Sequence, residues 1–119
     1  MLWDAVNKYD AGHKEFFGTG DEIRDWIHVE DAADLLTTAA LAKQSGLEFY
    51  SGGHEQMTIR EVLRLLANAY GVDGEPKFNG ETHTGNPRRL SANWSHTSRS
   101  LRWTPKITLS EGIPRYVKW

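Results

Sequence analysis

The sequence predicts a small α/β (α+β) fold, one domain over residues 1–119 in which helices pack on a few short strands. Three observations carry this. A chain of 119 residues can bury one core but is short for two. Thr58-Ile59-Arg60-Glu61 and Thr108-Leu109-Ser110-Glu111 both read as capping boxes, in which hydroxyl and carboxylate satisfy free backbone donors at a helix start. Between the helical stretches stand short apolar runs bounded by glycine, the pattern of brief strands.

Taken in order, Leu2, Ala5, Val6 and Tyr9 recur at helical spacing, so residues 2–10 are expected to form an amphipathic helix that Gly12 ends. Lys14 to Phe17 reads as a short strand leading into the turn Gly18-Thr19-Gly20, and Arg24 to Val29 as a second extended piece. From Glu30 to Lys43 the chain turns alanine-rich and helical, with acids in the first turn, where the helix dipole favours them, and Gly46 as the stop. Leu47 to Ser51 reads as a buried strand. The helix opened by Thr58 sets Ile59, Val62, Leu63, Leu66, Ala69 and Tyr70 on one apolar face and ends at Gly71. Residues 71–89 hold Gly71, Gly74, Pro76, Gly80, Gly85 and Pro87, so loop is expected there, with one strand at Lys77 to Asn79. Leu90 to Asn93 is expected as a strand, Ser95 to Leu101 as a short helix, and the Thr108 box as the start of a last helix that Pro114 limits or kinks.

Composition narrows the function classes. No apolar run approaches the roughly 18 residues of a membrane span. The first residues, Met1-Leu2-Trp3-Asp4-Ala5-Val6-Asn7-Lys8, lack the basic flank and apolar stretch of a secretory signal, so a cytoplasmic protein without membrane partners is expected. With no cysteine there is neither a disulfide, a thiolate zinc site nor a cysteine nucleophile. The net charge of −2 conceals an asymmetry: residues 1–75 carry 6 Lys/Arg against 14 Asp/Glu, or −8, and residues 76–119 carry 8 against 2, or +6. That pattern suits either two halves that neutralise each other or an anion site in the basic half. A nucleic-acid partner is not expected, because the arginines form no continuous stripe and the pI is about 6.2.

The informative motif is Gly18-Thr19-Gly20-Asp21-Glu22-Ile23-Arg24-Asp25-Trp26-Ile27-His28-Val29-Glu30-Asp31-Ala32-Ala33, a glycine turn followed by one arginine and an acidic helix start. After it come Ser51-Gly52-Gly53-His54-Glu55-Gln56-Met57-Thr58-Ile59-Arg60-Glu61, then Gly85-Asn86-Pro87-Arg88-Arg89, then Leu101-Arg102-Trp103-Thr104-Pro105-Lys106. In this order the motifs resemble the C-terminal half of the extended short-chain dehydrogenases, the NAD-dependent sugar-nucleotide epimerases, dehydratases and reductases. The resemblance implies that a whole enzyme would bind NAD(P) in an N-terminal half and a nucleoside-diphosphate sugar between its halves. This sequence has neither a glycine-rich dinucleotide fingerprint nor a Tyr-x-x-x-Lys pair. The expectation is therefore a truncated, substrate-binding portion lacking the N-terminal Rossmann half, with no catalytic residue and no cofactor bound by this chain alone.

Arg24, His83, Arg88 and Arg89 are the candidate substrate-binding residues. A planar guanidinium after a glycine turn can grip a phosphate in two places, and the resemblance implies that Arg24 contacts the diphosphate. A structural alternative is an ion pair with Asp25 or Asp31. His83-Thr84-Gly85-Asn86 stands where many members have Arg-x-Gly-Asp, and Arg88 and Arg89 follow the Gly-x-Pro where the family places further basic residues, as a second half of the clamp. For these two the alternative is a solvated surface pair. Trp103 matches the family's structural tryptophan. The five histidines lack the spacing of metal ligands, so no metal is expected, and His28 is expected on a strand as a hydrogen-bonded structural residue.

Three function classes are open: a sugar-nucleotide-binding module or subunit of a split enzyme, a scaffold protein that kept the fold without the ligand, and an enzyme of unrelated chemistry. The last has no nucleophile elbow, metal site or carboxylate pair to support it. Without the other half, the helix at 30–43 and the strand at 47–51 would leave apolar surface bare, so a homodimer or a separate catalytic subunit is the expected partner.

Overall fold

The computed structural model describes residues 1–43 and 47–119. Helix α1, Leu2–Asp10, buries Ala5 and Tyr9, and Gly12 takes the left-handed conformation that lets the chain turn away. Strand β1, Glu15–Phe16, pairs in parallel with β4, Lys77–Phe78, and Phe16 packs edge-on against Tyr9 at 5.6 Å. Strand β2, Ile23–Trp26, is the centre of a second sheet in the order β3-β2-β5, antiparallel to β3, Glu55–Thr58, and parallel to β5, Arg89–Leu90. Helix α2, Val29–Leu41, comes directly after β2; the predicted stop at Gly46 lies outside the described residues.

Both predicted capping boxes form. Thr58 accepts from the Glu61 amide while Glu61 accepts from the Thr58 amide, opening helix α3, Ile59–Tyr70, which closes on a left-handed Gly71. Thr108 and Glu111 make the same exchange at the start of helix α5, Leu109–Lys118. Pro114 sits inside α5 and the helix runs on past it. The short helix α4, Ser95–Leu101, ends on Arg102, the one left-handed non-glycine position among the described residues. The core lies where α3 meets α1 and α5: Val62, Leu63, Leu66 and Ile113 are at most 2% exposed, each contributing roughly 1.5–3 kcal/mol of hydrophobic burial. The Tyr9 hydroxyl donates to the Leu63 carbonyl and ties α1 to α3.

One element differs in kind from the sequence reading. Leu47 to Ser51 is neither buried nor a strand: Leu47 and Phe49 are 82% and 79% exposed, and the run joins no ladder. A buried strand needs a neighbouring strand to supply its hydrogen bonds; among the described residues none pairs with this run, whose Ser51 is tied instead to Thr97 of α4. The strand that pairs antiparallel with β2 is β3, beginning eight residues further on, and just before it Gly53 lets the backbone approach Asp25. A Cβ at Gly53 would stand 2.4 Å from an Asp25 carboxylate oxygen.

The molecule is flat, 52 × 35 × 17 Å, with a radius of gyration of 16.5 Å where a compact domain of this length has about 13.5 Å. Its accessible surface is 7960 Å², against about 6,500 Å² for a folded monomer of 13.5 kDa. The excess includes much of α2 and of the segment between it and β3, because Val29, Leu36, Leu41, Leu47 and Phe49 are all at least 72% exposed.

Candidate functional site

The glycine turn before β2 is held by a carboxylate. Glu22, 7% exposed, accepts from the backbone amides of Thr19 at 3.0 Å and Gly20 at 2.9 Å. Burial pushes this carboxyl up, but the hydrogen bonds from Thr19 and Gly20 outweigh it and hold the group below its ordinary range. Gly20 is left-handed, and a Cβ there would meet the Phe78 ring at 2.6 Å. The turn thus depends on glycine for both conformation and space.

Two residues later Arg24 points one guanidinium nitrogen at the Ile23 carbonyl, 2.7 Å away, and the other at the Asn86 side-chain oxygen. Asp25 and Asp31 are occupied elsewhere: Asp25 accepts from the Ala92 amide, and Asp31 from the amides of Lys106 and Ile107. Neither forms the ion pair that was the structural alternative for Arg24. Arg24, Asn86, Lys8, Asp4, Glu22 and Phe17 line an open cavity of about 320 Å³ between α1 and β2. At its edge the His83 ring stacks on Phe17, with centroids 4.5 Å apart and planes 19° from parallel.

The loop from Gly80 to Arg88 therefore delivers two contacts to the Arg24 side, through His83 and Asn86. Arg88 and Arg89 arrive differently. The Arg88 carbonyl accepts from the Ile23 amide at 2.9 Å and its side chain faces solvent, while Arg89 stands opposite Ile23 and donates to Gln56. Because side chains alternate along a strand, Ile23, Asp25, Gln56 and Arg89 share one face of the sheet and Arg24, Met57 and Leu90 the other. Of the four predicted site residues Arg24 alone lines the cavity; His83 reaches its edge through the stack on Phe17, and Arg88 and Arg89 stay outside the lining.

Sequence reasoning missed Glu22, Phe17 and Asn86 at this site. Glu22 stands in an acidic run with no sign that it anchors the turn, and Asn86 lies 62 residues from Arg24. Asp31, 3% exposed, stands in the first turn of α2 as expected, but in place of the alternative pairing with Arg24 it secures the stretch before α5. His28 is a structural residue, as expected, but not on a strand: it caps α2, its Nδ1 accepting from the Glu30 amide at 3.2 Å. Trp103 is packed at 4% exposure, edge-on to Trp94. A larger cavity, about 520 Å³, lies among Trp26, Leu109, Ile113, Tyr116 and Trp119. Its one arginine, Arg115, is paired with Glu30 at 3.7 Å, and it contains none of the predicted site residues. Among the described residues, no three His, Asp or Glu side chains gather as a metal site would require, and no helix is long and apolar enough to cross a membrane.

With the turn, the arginine and the capped helices in place, comparison with known proteins is direct. Residues 1–52 match the NAD dependent epimerase/dehydratase family. The chain is related to that family. GDP-L-fucose synthase 1 of Arabidopsis thaliana is 35% identical over 104 residues, which are 87% of this chain and 31% of that protein. The dTDP-glucose 4,6-dehydratase of Shigella flexneri is 34% identical over 121 residues, covering 96% of this chain and 34% of the relative. Among solved family structures, the UDP-glucose 4-epimerase of Thermotoga maritima with UDP-glucose superposes with a TM-score of 0.84 at 24% identity, over 98% of this chain and 38% of that one. MoeE5 in complex with UDP-glucuronic acid and NAD gives 0.86 at 22% identity, over 99% and 40%. The chain spans about one third of the length of the curated relatives it matches, and the solved structures establish its fold alone.

Proposed function

We propose that this chain binds a nucleoside-diphosphate sugar at the Arg24 cavity and performs no hydride chemistry by itself. The observation that carries the reading is the placement of Arg24 beside a rigid glycine turn and over an open cavity, held by two neutral acceptors rather than by a carboxylate. A guanidinium bonded to neutral groups keeps its charge for an incoming anion. Arg24 is then the central diphosphate contact and His83 a second, while Arg88 contributes positive charge from the rim and Arg89, on the other face of the sheet, contributes least. That all four of the similar proteins named above carry a GDP-, dTDP- or UDP-sugar in their names or bound to them supports the ligand class.

NAD(P) belongs to the rest of such an enzyme in this reading, so chemistry would need a separate catalytic subunit; the bare surface of α2 supports some partner. A second reading, a scaffold that no longer takes the ligand, is favoured by one observation: His83 on Phe17 and Asn86 on Arg24 occupy part of the site with the chain's own side chains. Calorimetry with UDP-, dTDP- and GDP-sugars separates the two. Heat with at least one, lost in Arg24→Ala, is expected; no heat with any of the three overturns sugar-nucleotide binding and leaves the scaffold reading.

A further inference from the structure

The cavity that holds Arg24 has a second cation in its wall. Lys8, in the last turn of α1, lines it from the helix side, with its side chain half-buried. Its Nζ donates to the Glu15 carbonyl at 3.1 Å and lies 5.2 Å from the centre of the Phe16 ring, which also belongs to the lining. Both of these partners are uncharged. Other cations are committed: Arg60 is paired with Asp21, Arg64 with Glu75, Lys106 with Asp34 and Arg115 with Glu30. Among the described residues neither Lys8 nor Arg24 has a carboxylate within ion-pair distance. Of the acids in the lining, Glu22 is taken by the amides of Thr19 and Gly20, and Asp4, one helical turn before Lys8, is exposed and closes no ion pair with it.

We infer that Lys8 is a further phosphate-binding residue of this cavity, and that Lys8 from α1 and Arg24 from β2 take one phosphate each of a nucleoside diphosphate. The inference rests on the sugar-nucleotide reading and adds to it a contact on α1. A diphosphate carries its two negative groups on either side of one bridging oxygen, so a single guanidinium fork that satisfies one leaves the other to solvent. A lysine suits the second position, because its ammonium is a compact point charge on a flexible stem and can leave the Glu15 carbonyl for an incoming oxygen. That exchange gives up a bond to a neutral acceptor for one between opposite charges. The Phe16 ring holds the stem against apolar surface and keeps the ammonium beside the cavity. Nothing local in the sequence marks the residue, since Lys8 also reads as a basic side chain placed where the dipole of α1 favours it. A lysine that served only the dipole would leave ligand affinity unchanged when removed.

The test is an amide NMR titration of the whole chain with inorganic phosphate, inorganic pyrophosphate, UDP-glucose, dTDP-glucose and GDP-mannose. Pyrophosphate and at least one sugar nucleotide should bind saturably. Lys8→Met, which keeps a stem over Phe16 and the parent's spectrum away from the cavity, should weaken both by about tenfold, the lower end for a hydrogen bond to a charged group. It should change the affinity for single phosphate little, and Lys8→Arg should restore most of the loss. Lys8→Met equal to the parent toward every probe, with Arg24→Ala losing binding, would overturn the role of Lys8 and leave the sugar-nucleotide reading standing. An equal loss toward phosphate and pyrophosphate would overturn it too, because a distant charge attracts all anions alike whereas a two-point grip favours the diphosphate. Pyrophosphate bound through Lys8 with no sugar nucleotide bound would keep the grip and overturn the ligand class. No binding of any probe would overturn both.

Discussion

Arg24 and Arg89 stand on neighbouring strands one register step apart, so their guanidinium groups leave opposite faces of the same small sheet. A diphosphate gripped by Arg24 is separated from Arg89 by the sheet itself until the loop that precedes β5 moves. Replacing Arg24 with alanine should weaken sugar-nucleotide binding by about 10- to 100-fold, the equivalent of roughly 1.5–3 kcal/mol for hydrogen bonds to a charged group. Arg89→Ala should weaken it by no more than about threefold, the order of an exposed charge acting from a distance. Calorimetry on the two variants checks the order, and equal losses would mean that the loop rearranges completely on binding.

His83 and Asn86 hold that loop against the site, through the stack on Phe17 and the bond to Arg24. A ligand must compete with both. Asn86→Ala should free the Arg24 fork and leave affinity equal or a few-fold higher, as measured in the same titration. A large loss would instead make Asn86 a direct ligand contact.

Gly20→Ala should destabilise the fold by about 2 kcal/mol or more, because a left-handed alanine costs roughly 1–2 kcal/mol and its methyl group would press into the Phe78 ring. Thermal melting reads this directly. Gly12→Ala, left-handed but open on all sides, should show only the smaller backbone penalty.

The local elements are the ones the sequence can state. A capping box is complete within four residues, and both Thr58 with Glu61 and Thr108 with Glu111 form as expected. The apolar face of α3 is periodic in itself and equally legible. Leu47 to Ser51 reads as a buried strand because it is apolar, yet burial depends on a neighbour that no local pattern reveals. Conversely Glu55-Gln56-Met57-Thr58 has no strand-like alternation of apolar residues and becomes β3 because β2 offers it an edge. The site divides in the same way: Arg24 is marked by its glycine turn, while its tie to Asn86 and the side-chain alternation that parts it from Arg89 exist only after the sheet has formed.

Acid should unfold the chain through its anchoring carboxylates. Glu22 is held down by Thr19 and Gly20 against the opposing effect of burial, Glu61 by the Thr58 amide and hydroxyl, and Glu111 by those of Thr108. A carboxyl whose folded pKa lies below its unfolded value gives its full stabilisation above the ordinary 4.5, and loses it as pH falls through the depressed folded value. Glu22→Gln should therefore lower the melting temperature near neutral pH, with a cost of about 1–3 kcal/mol for weakened bonds to buried amides. The gap to the parent should close as pH drops well below 4.5. A gap that stays constant with pH would show that the charge of Glu22 is not what secures the turn.

The most direct test is where a sugar nucleotide touches the chain. Backbone amide NMR, titrated with UDP-glucose, dTDP-glucose and GDP-mannose, should show for at least one of them saturable shifts at Thr19, Gly20, Arg24 and Asn86. Shifts confined to the cavity beside Trp26 and Ile113, or none from any of the three, would contradict it.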